Sequence, residues 1–527
     1  MAGQYHKLER TENVERNVVF GLLNKTLALV LPFIVRTVLI YRFGAEYLGL
    51  NSVFSSVLQV LSLAELGFGA ALTYSMYEPI AKNDHKLICA YLNTYRKVYF
   101  MVGCIILVGG LIAMPFLPHL VHDAVIPGDL NIYLWFSAFL ADVVISYWLY
   151  AFKMSIPIAF QRDDLLSKVD MGIMTIRSIL QLILLMTSTN FYLYLLAFPV
   201  TTILRNFWIS AMVDKRFPEY KPEGKISTEQ NADLRQRVRG LLVNKICITS
   251  RNGIDSVCIS AFLGLTIAGI YHSYFYVLNA LVAISQILMT AMTPGVGNSL
   301  VIEPREKNYA DMRRFNFMYM IIAGWASICM LCLYQPFVRV WIGEKLMLSN
   351  PAVIALCLYF YMLKMGDMRW VYTEAAGLWW ECRHLMVIET AANIILNIVL
   401  VKLWGVVGII VATIISLLFI NFFGSTRIVF NHYFKNGKLF EFFADHLRYF
   451  VVTLIITVVT YAACRGAGTL VSGGKWAQFL IRIPISAILP IPLYYLLYCR
   501  TNEFKEAFAW AKTKIPKRFI RSSRSSS

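Results

Sequence analysis

An all-α integral membrane protein of about fourteen transmembrane helices is the fold class this sequence predicts, on three observations. Of the 527 residues, 58% are hydrophobic and the mean hydropathy is +0.59, whereas soluble chains are about 45–50% apolar. Apolar stretches of about 20 residues, enough for a helix to cross a roughly 30 Å hydrocarbon core, recur along the whole chain. The segments between them alternate between basic-rich and basic-poor, as expected where Lys and Arg hold loops in the cytoplasm.

The expected spans lie near 18–41, 48–73, 95–116, 130–152, 168–188, 191–213, 240–263, 267–300, 315–337, 351–376, 384–402, 405–427, 448–464 and 477–499. The span 267–300 is too long for one straight crossing. Its Pro294-Gly295-Val296-Gly297 is expected to break or kink it near one end.

One set of loops carries Lys82, Lys86 and Lys97; Lys153, Arg162 and Lys168; Lys215 to Arg239; Arg305 to Arg314; and Lys435 and Lys438. Pro115–Gly128, Thr187–Asn190 and Gly264–Thr266 contain no Lys or Arg. The N-terminus (Lys7, Arg10, Arg16) and the tail (Lys512 to Arg524) belong to the basic set. An even number of spans with both ends in that set predicts a multi-pass protein of the plasma membrane with both termini cytoplasmic. The polar stretch Met1–Arg16 does not have the form of a cleavable signal peptide. The net charge of +18 follows from these loops, and no separate basic, aromatic-interleaved patch suggests a nucleic-acid partner.

Internal similarity suggests two repeats. Asn24-Lys25 matches Asn244-Lys245 at an offset of 220 residues, at which Gly44 also matches Gly264 and Gly49 matches Gly269. Glu78-Pro79 and Glu303-Pro304 match after an insertion of five residues. The expected organisation is a cytoplasmic segment 1–16, an N-lobe of six helices over 17–213, an interlobe loop 214–239 and a C-lobe of six helices over 240–430. A terminal helix pair over 431–499 and a basic tail 500–527 follow. Transporters built from repeats commonly hold the substrate path between them.

Ionisable groups inside the spans mark candidate function, because a charge at mid-bilayer is costly unless it is paired or wet. The cations are Lys25, Arg36, Arg177, Arg205, Lys245, Arg251, Lys364 and Arg369; the acids are Glu65, Asp142, Asp255, Asp367 and Glu389. Lys25 and Arg36 lie about three helical turns apart and share a face. Arg251 with Asp255, and Lys364 with Asp367, are spaced to neutralise each other, while Lys25, Arg36 and Arg205 are near enough to a span end to snorkel. The excess of cations predicts a cavity suited to an anionic head group such as a diphosphate, which the planar fork of Arg binds through two oxygens. On this reading the eight cations bind substrate, and Glu65, Asp142, Asp255 and Asp367 serve in coupling or charge pairing.

The run Arg36-Thr37 through Gly44-Ala45-Glu46-Tyr47-Leu48-Gly49-Leu50-Asn51, followed by Leu61 to Leu72 with Glu65, Gly67 and Gly69 inside it, resembles the signature of Wzx-type oligosaccharide flippases. Tyr77 to Asp84, Glu374-Ala375-Ala376-Gly377-Leu378, Asn393 to Asn397 and Gly405 to Ile409 are similar to later parts of that family. The resemblance spans most of the chain apart from the last two spans and the tail. It implies a MATE-like fold and a flippase of undecaprenyl-diphosphate-linked oligosaccharide repeat units, moved outward by alternating access for capsule, exopolysaccharide or O-antigen. A polysaccharide polymerase and other assembly proteins are the implied partners. Gly49, Gly67 and Gly69 read as helix-packing glycines.

A MATE-type exporter of small molecules, coupled to ions, is the alternative; its cationic substrates favour an acidic cavity, which the surplus of Lys and Arg opposes. An enzyme is not expected. No GxSxG, P-loop or HExxH is present, and a polymerase would show a large external loop. Asp163-Asp164 is an isolated acidic pair, and the CxxC of Cys329 and Cys332 lies in an apolar helix as small packing residues. No cofactor, metal or catalytic residue is predicted. A scaffold without transport activity is the remaining reading.

Overall fold

A computed structural model of the chain describes residues 10–62, 68–120, 131–160, 162–188, 190–435, 437–470 and 474–514. Every regular element among them is helical. The principal helices in chain order are α1 (Arg10–Phe43), α2 (Ala45–Leu61), α3 (Phe68–Ala81), α4 (His85–Ala113), α5 (Ile132–Trp148), α6 (Asp163–Thr187), α7 (Phe191–Arg216), α8 (Thr228–Leu263) and α9 (Leu265–Ile302). They continue with α10 (Arg305–Trp341), α11 (Asn350–Met365), α12 (Asp367–Ala375), α13 (Trp379–Trp404), α14 (Val406–Ile415), α15 (Leu439–Leu470), α16 (Lys475–Ile488), α17 (Pro490–Tyr498) and α18 (Asn502–Lys514).

Among the described residues, 11 spans are long and apolar enough to cross a membrane, or 12 when α5 and the short helix Ala151–Ala159, bent by 58°, count as one. Tyr150, in the left-handed region at φ 54°, makes that bend. Two of the fourteen expected spans are not among those counted in the described residues. The span 48–73 falls on α2 and α3, of 17 and 14 residues, and its residues 63–67 lie outside the described ones. The span 240–263 lies within the 36-residue α8, of which Gly253–Leu263 is an apolar stretch among the described residues; Lys245, Arg251 and Asp255 lower the hydropathy of the predicted span. The helix extends N-terminally beyond the predicted span because Ser227 and Gln230 form a reciprocal capping box. Of the break or kink expected near Pro294, a break does not occur: α9 continues as one helix of 38 residues. Proline removes one amide donor, and membrane helices tolerate that loss.

The surfaces show why these helices need lipid. On α4, Met101, Ile105, Val108 and Ile112 form an exposed stripe at helical spacing, while Tyr95, Tyr99, Val102 and Ile106 on the other side are buried. On α15, Leu447, Val451, Leu454 and Val458 repeat the pattern. Contiguous apolar stripes of this kind are unfavourable against water. The protein is a multi-pass membrane protein.

The chain divides into two compact units, Met1–His272 and Ser273–Ser527, with the boundary inside α9. Leu72, Met76, Ile88, Phe152, Ile173 and Ile209 belong to a core of the first unit. Phe317, Met320, Tyr372, Phe430, Phe442 and Tyr498 belong to a core of the second.

Several of the sequence matches have local structural counterparts. Gly44 and Gly264 precede α2 and α9 with similar backbone angles, φ 106°, ψ 173° and φ 87°, ψ 167°. The two helices cross at Gly49 and Gly269, and Thr266 donates to Glu46 Oε1 at 3.0 Å. After the Glu-Pro pairs, Lys82 reaches Glu78 and Lys307 reaches Glu303, each at 2.6 Å.

Candidate functional site

The first unit gathers three of the predicted arginines on membrane-spanning helices. Arg36, on α1, is 7% exposed. Its Nη2 donates to His272 Nδ1 on α9 at 3.0 Å. Arg177, on α6, uses its fork across a helix boundary: Nε donates to Thr201 Oγ1 at 2.6 Å and Nη2 to Thr202 Oγ1 at 2.9 Å, both on α7. Thr202 in turn donates to Asp142 Oδ1 on α5 at 2.5 Å. Arg205, on α7, donates from Nε to Asp170 Oδ1 on α6 at 2.6 Å. Tyr194 lies within electrostatic reach of both Arg36 and Arg177, and Arg177 within reach of Arg205. Arg205 is thus paired with Asp170, Arg177 is joined to Asp142 through Thr202, and Arg36 is bonded to a neutral partner.

The sequence folds this way locally because α6 and α7 are antiparallel neighbours with polar caps at their facing ends. Asn190 caps α7 by accepting from the Tyr192 amide. The pairing of α6 with α7 sets Asp170 against Arg205 and Arg177 against Thr201.

Other predicted residues lie apart from this group. Lys25 is exposed on α1. Asp255 is buried on α8. The side chains of Lys245 and Arg251 on the same helix, and Glu65, lie outside the described residues.

The second unit holds its predicted cations differently. Lys364, at the end of α11, is 2% exposed. Its Nζ donates to Asp367 Oδ2 at 2.8 Å, and Tyr319 of α10 donates to the same oxygen. Arg369, on α12, is also 2% exposed. Its Nη2 donates to Asn421 Oδ1 at 2.7 Å, and Asn421 Nδ2 donates to Glu389 Oε2 on α13, also at 2.7 Å. Asn421 sits in the π-helical stretch Ser416–Ser425, a deviation frequent at functional sites. A stripe of Glu389, Asn393 and Asn397 runs along α13, with Asn393 donating to Thr413 at 3.1 Å. These contacts hold the charges within the protein.

A cavity of about 540 Å³ lies in the second unit, lined chiefly by apolar side chains such as Met289, Met292, Met318 and Met368, with Tyr372 and Trp510. That volume falls within the range of small-molecule sites, and flexible Met side chains adapt to varied apolar shapes.

The acidic pair 163–164 has a structural role at Asp164, which is fully buried and held by Arg162 at 2.8 Å and Lys168 at 2.9 Å. Among the described residues no group of His, Cys, Asp and Glu is arranged to hold a metal ion. Sequence reasoning missed Asp170, His272, Thr201, Thr202, Tyr319 and Asn421. Asp170 and His272 were the detectable ones, an acid and the one histidine within their predicted spans. The hydroxyls and amides carry no signal of their own in an apolar helix.

Helices and charges together define an all-helical, multi-pass membrane protein with arginines inside its spans. No family model matches the chain, and no curated protein matches it. Its fold is that of solved membrane transport proteins. The lipid II flippase MurJ in an inward closed conformation superposes with a TM-score of 0.65 at 15% identity, over 92% of this chain and 99% of that one. An inward-facing multidrug resistance MATE family transporter of the MOP superfamily gives 0.61 at 13% identity, over 78% of this chain and 96% of that one. A MOP superfamily transporter from Pyrococcus furiosus Vc1 (DSM3638), for which a reverse polarity of the binding pocket suggests a different function, gives 0.54 at 14% identity, over 81% and 99%. The MATE-like fold expected from the sequence is thereby shown.

Proposed function

We propose that this protein is a flippase that moves undecaprenyl-diphosphate-linked oligosaccharide repeat units from the cytoplasmic to the outer face of the plasma membrane. The observation that carries the reading is the presence of Arg36, Arg177 and Arg205 on membrane-spanning helices of one unit. Buried guanidinium groups suit a diphosphate, whose oxygens accept the paired N–H donors of the fork. The resemblance of Arg36 to Asp84 to Wzx-type flippases supplies the oligosaccharide, and the fold shared with MurJ, a lipid II flippase, supports a lipid-linked cargo. The methionine-rich cavity of the second unit supports the same cargo, being suited to an apolar chain.

On this reading both termini are cytoplasmic, and the arginine site is exposed alternately to the two faces of the membrane. The lobes 17–213 and 240–430, the helix pair 431–499 and the tail 500–527 are its parts. Among the predicted site residues, Arg36, Arg177 and Arg205 bind the head group. Lys364, engaged by Asp367, and Arg369, linked through Asn421 to Glu389, shape the second unit. Lys25, Lys245 and Arg251 are retained as further binding cations, and Glu65 and Asp255 as coupling or pairing groups. The protein delivers its product to a polysaccharide polymerase and other assembly proteins.

The fold shared with MATE transporters favours a second reading, an ion-coupled small-molecule exporter. Against it stands the engagement of Asp142, Asp170 and Asp367 by Thr202, Arg205 and Lys364, which removes these acids as sites for a cationic substrate.

The test is complementation of a strain lacking every other flippase for its surface polysaccharide. The Arg36→Ala/Arg177→Ala variant should insert normally and restore less than about a tenth of the polymer, since each lost charge-assisted hydrogen bond costs about 1.5–3 kcal/mol. Wild-type polymer levels from that variant would overturn the reading.

A further inference from the structure

The cavity of about 540 Å³ in the second unit is walled by α9, α10, α12 and α18. The first three supply Met289, Met292, Met318 and Met368, and α18 supplies Trp510. The hydroxyl and carboxyl side chains at the wall already have partners within the protein. Ser299 Oγ donates to Asn308 Oδ1 at 2.6 Å, and Tyr372 donates to the Asn308 carbonyl at 3.0 Å. Tyr319 donates to Asp367, and Asp311 Oδ1 accepts from Arg314 at 2.5 Å. A polar ligand would gain few new partners in such a cavity, and burying its groups unbonded is costly. Leu288 of α9 and Ile322 of α10 line the cavity and are also 44% and 48% exposed, so its edge is apolar there.

The C-terminal helix α18 brings Trp510 to this wall. The indole meets Phe315 edge-on, with ring centroids 5.2 Å apart, and the Arg314 guanidinium stands 5.5 Å from it. Glu503, two helical turns earlier on the same side of α18, bonds to Arg448 and Arg313 and fixes the helix. Methionine side chains are unbranched and flexible, and settle around irregular shapes such as the methyl groups of a branched chain. We infer that this cavity is a binding site for one isoprenoid hydrocarbon chain, with the methionines as its adaptable lining and Trp510 as the wall that α18 contributes. The inference deepens the proposed function, on whose lipid-linked cargo it rests. It assigns to the cavity the chain of that lipid and not its head group, and it makes the C-terminal helix part of the site.

Photolabelling of the full chain in phosphatidylcholine nanodiscs tests the assignment. The probe is a diazirine-tagged geranylgeraniol, an uncharged isoprenoid alcohol, and the label is mapped by peptide mass spectrometry. Label is expected on α9 between Leu288 and Val296 and on α10 between Phe315 and Ile322. Excess untagged geranylgeraniol should remove it, and the same excess of straight-chain hexadecanol should leave most of it. Trp510→Ala, which opens the wall, should lower labelling about threefold, and Met292→Trp, which fills the cavity, about tenfold, the scale of one or two methylene groups no longer buried. The competition uses wild-type protein and so does not depend on the variants folding. Equal displacement by hexadecanol would overturn the isoprenoid assignment, and unchanged labelling of a folded Trp510→Ala variant would remove α18 from the site. If tetraphenylphosphonium displaces the label from wild type but not from Asp311→Asn, the cavity is a cation site and the inference is wrong. No label at the cavity, with polymer export still dependent on Arg36 and Arg177, would remove the chain site and leave the flippase reading standing. Isoprenoid-selective label with export independent of those arginines would sink that reading and keep the chain site.

Discussion

Gly49 of α2 and Gly269 of α9 meet backbone to backbone, in a reciprocal way. A Cβ built on Gly49 would stand 2.3 Å from the Leu265 carbonyl oxygen, and one built on Gly269 would stand 2.2 Å from the Ala45 carbonyl oxygen. Gly49 and Gly269, Ala45 and Leu265, and Glu46 and Thr266 are all separated by 220 residues. The same offset therefore relates both sides of the crossing, as a local two-fold axis through an internal repeat would require. Small residues that let helix backbones approach closely are a general means of helix association in membranes.

Any side chain at this crossing must displace backbone, which cannot rotate away. Gly49→Ala and Gly269→Ala should each lower stability by about 1–3 kcal/mol, as overpacking does. Gly253→Ala on α8 is the comparison, since its Cβ would find only ordinary contacts from 3.6 Å outward; it should be neutral or slightly stabilising. Thermal unfolding in detergent measures all three, and equal midpoints for Gly49→Ala and Gly253→Ala would refute the crossing.

The Lys364–Asp367 ion pair predicts an asymmetry between single and double substitutions. Lys364→Met leaves the Asp367 carboxylate without its cation and should cost about 3–5 kcal/mol, the penalty for breaking a buried pair. Lys364→Met/Asp367→Asn removes both charges, leaves Tyr319 a neutral oxygen to donate to, and should recover most of that loss. A double variant no more stable than the single, in the same unfolding assay, would show that the pair is not the reason.

Acid should loosen the C-terminal helix α18. Burial acts to raise the Glu503 carboxyl, but the bond from Arg448, its own backbone and the charges of Arg448 and Arg313 together hold it below the usual glutamate range. Arg448 lies at 2.8 Å and Arg313 at 3.2 Å. The folded carboxyl is thus the stronger acid, so its contribution is complete above the ordinary glutamate value near 4.3 and is lost as the pH falls through the lower folded value. Glu503→Gln should reproduce the loss at neutral pH, about 1 kcal/mol or a fivefold faster hydrogen exchange over Asn502–Lys514. Unchanged exchange would count against the anchoring role.

Much of the fold was legible because hydropathy is local and additive. Twelve of the predicted spans fall on helices or bent pairs that pass the length and apolarity test. The other two are 48–73, which includes residues 63–67 outside the described ones, and 240–263, which carries Lys245, Arg251 and Asp255 within α8. The candidate site was legible as a list of charges and not as a set of contacts. Lys364 and Asp367, three residues apart, were already readable as partners, because helical spacing alone brings them together. Asp170 with Arg205 required the pairing of α6 with α7.

By itself the sequence determined that this protein lies in a membrane, where its helices run and which of them carry charge, since the cost of placing a residue in hydrocarbon depends on that residue and its near neighbours. Only the tertiary structure decided what each charge bonds to. Arg369 is linked through Asn421 to Glu389, Arg205 is paired with Asp170, Arg177 bonds to Thr201 and Thr202, and Arg36 bonds to His272. Electrostatic energy depends on distance in space, and residues such as Arg36 and His272 come within 3.0 Å only when helices far apart in the chain have packed.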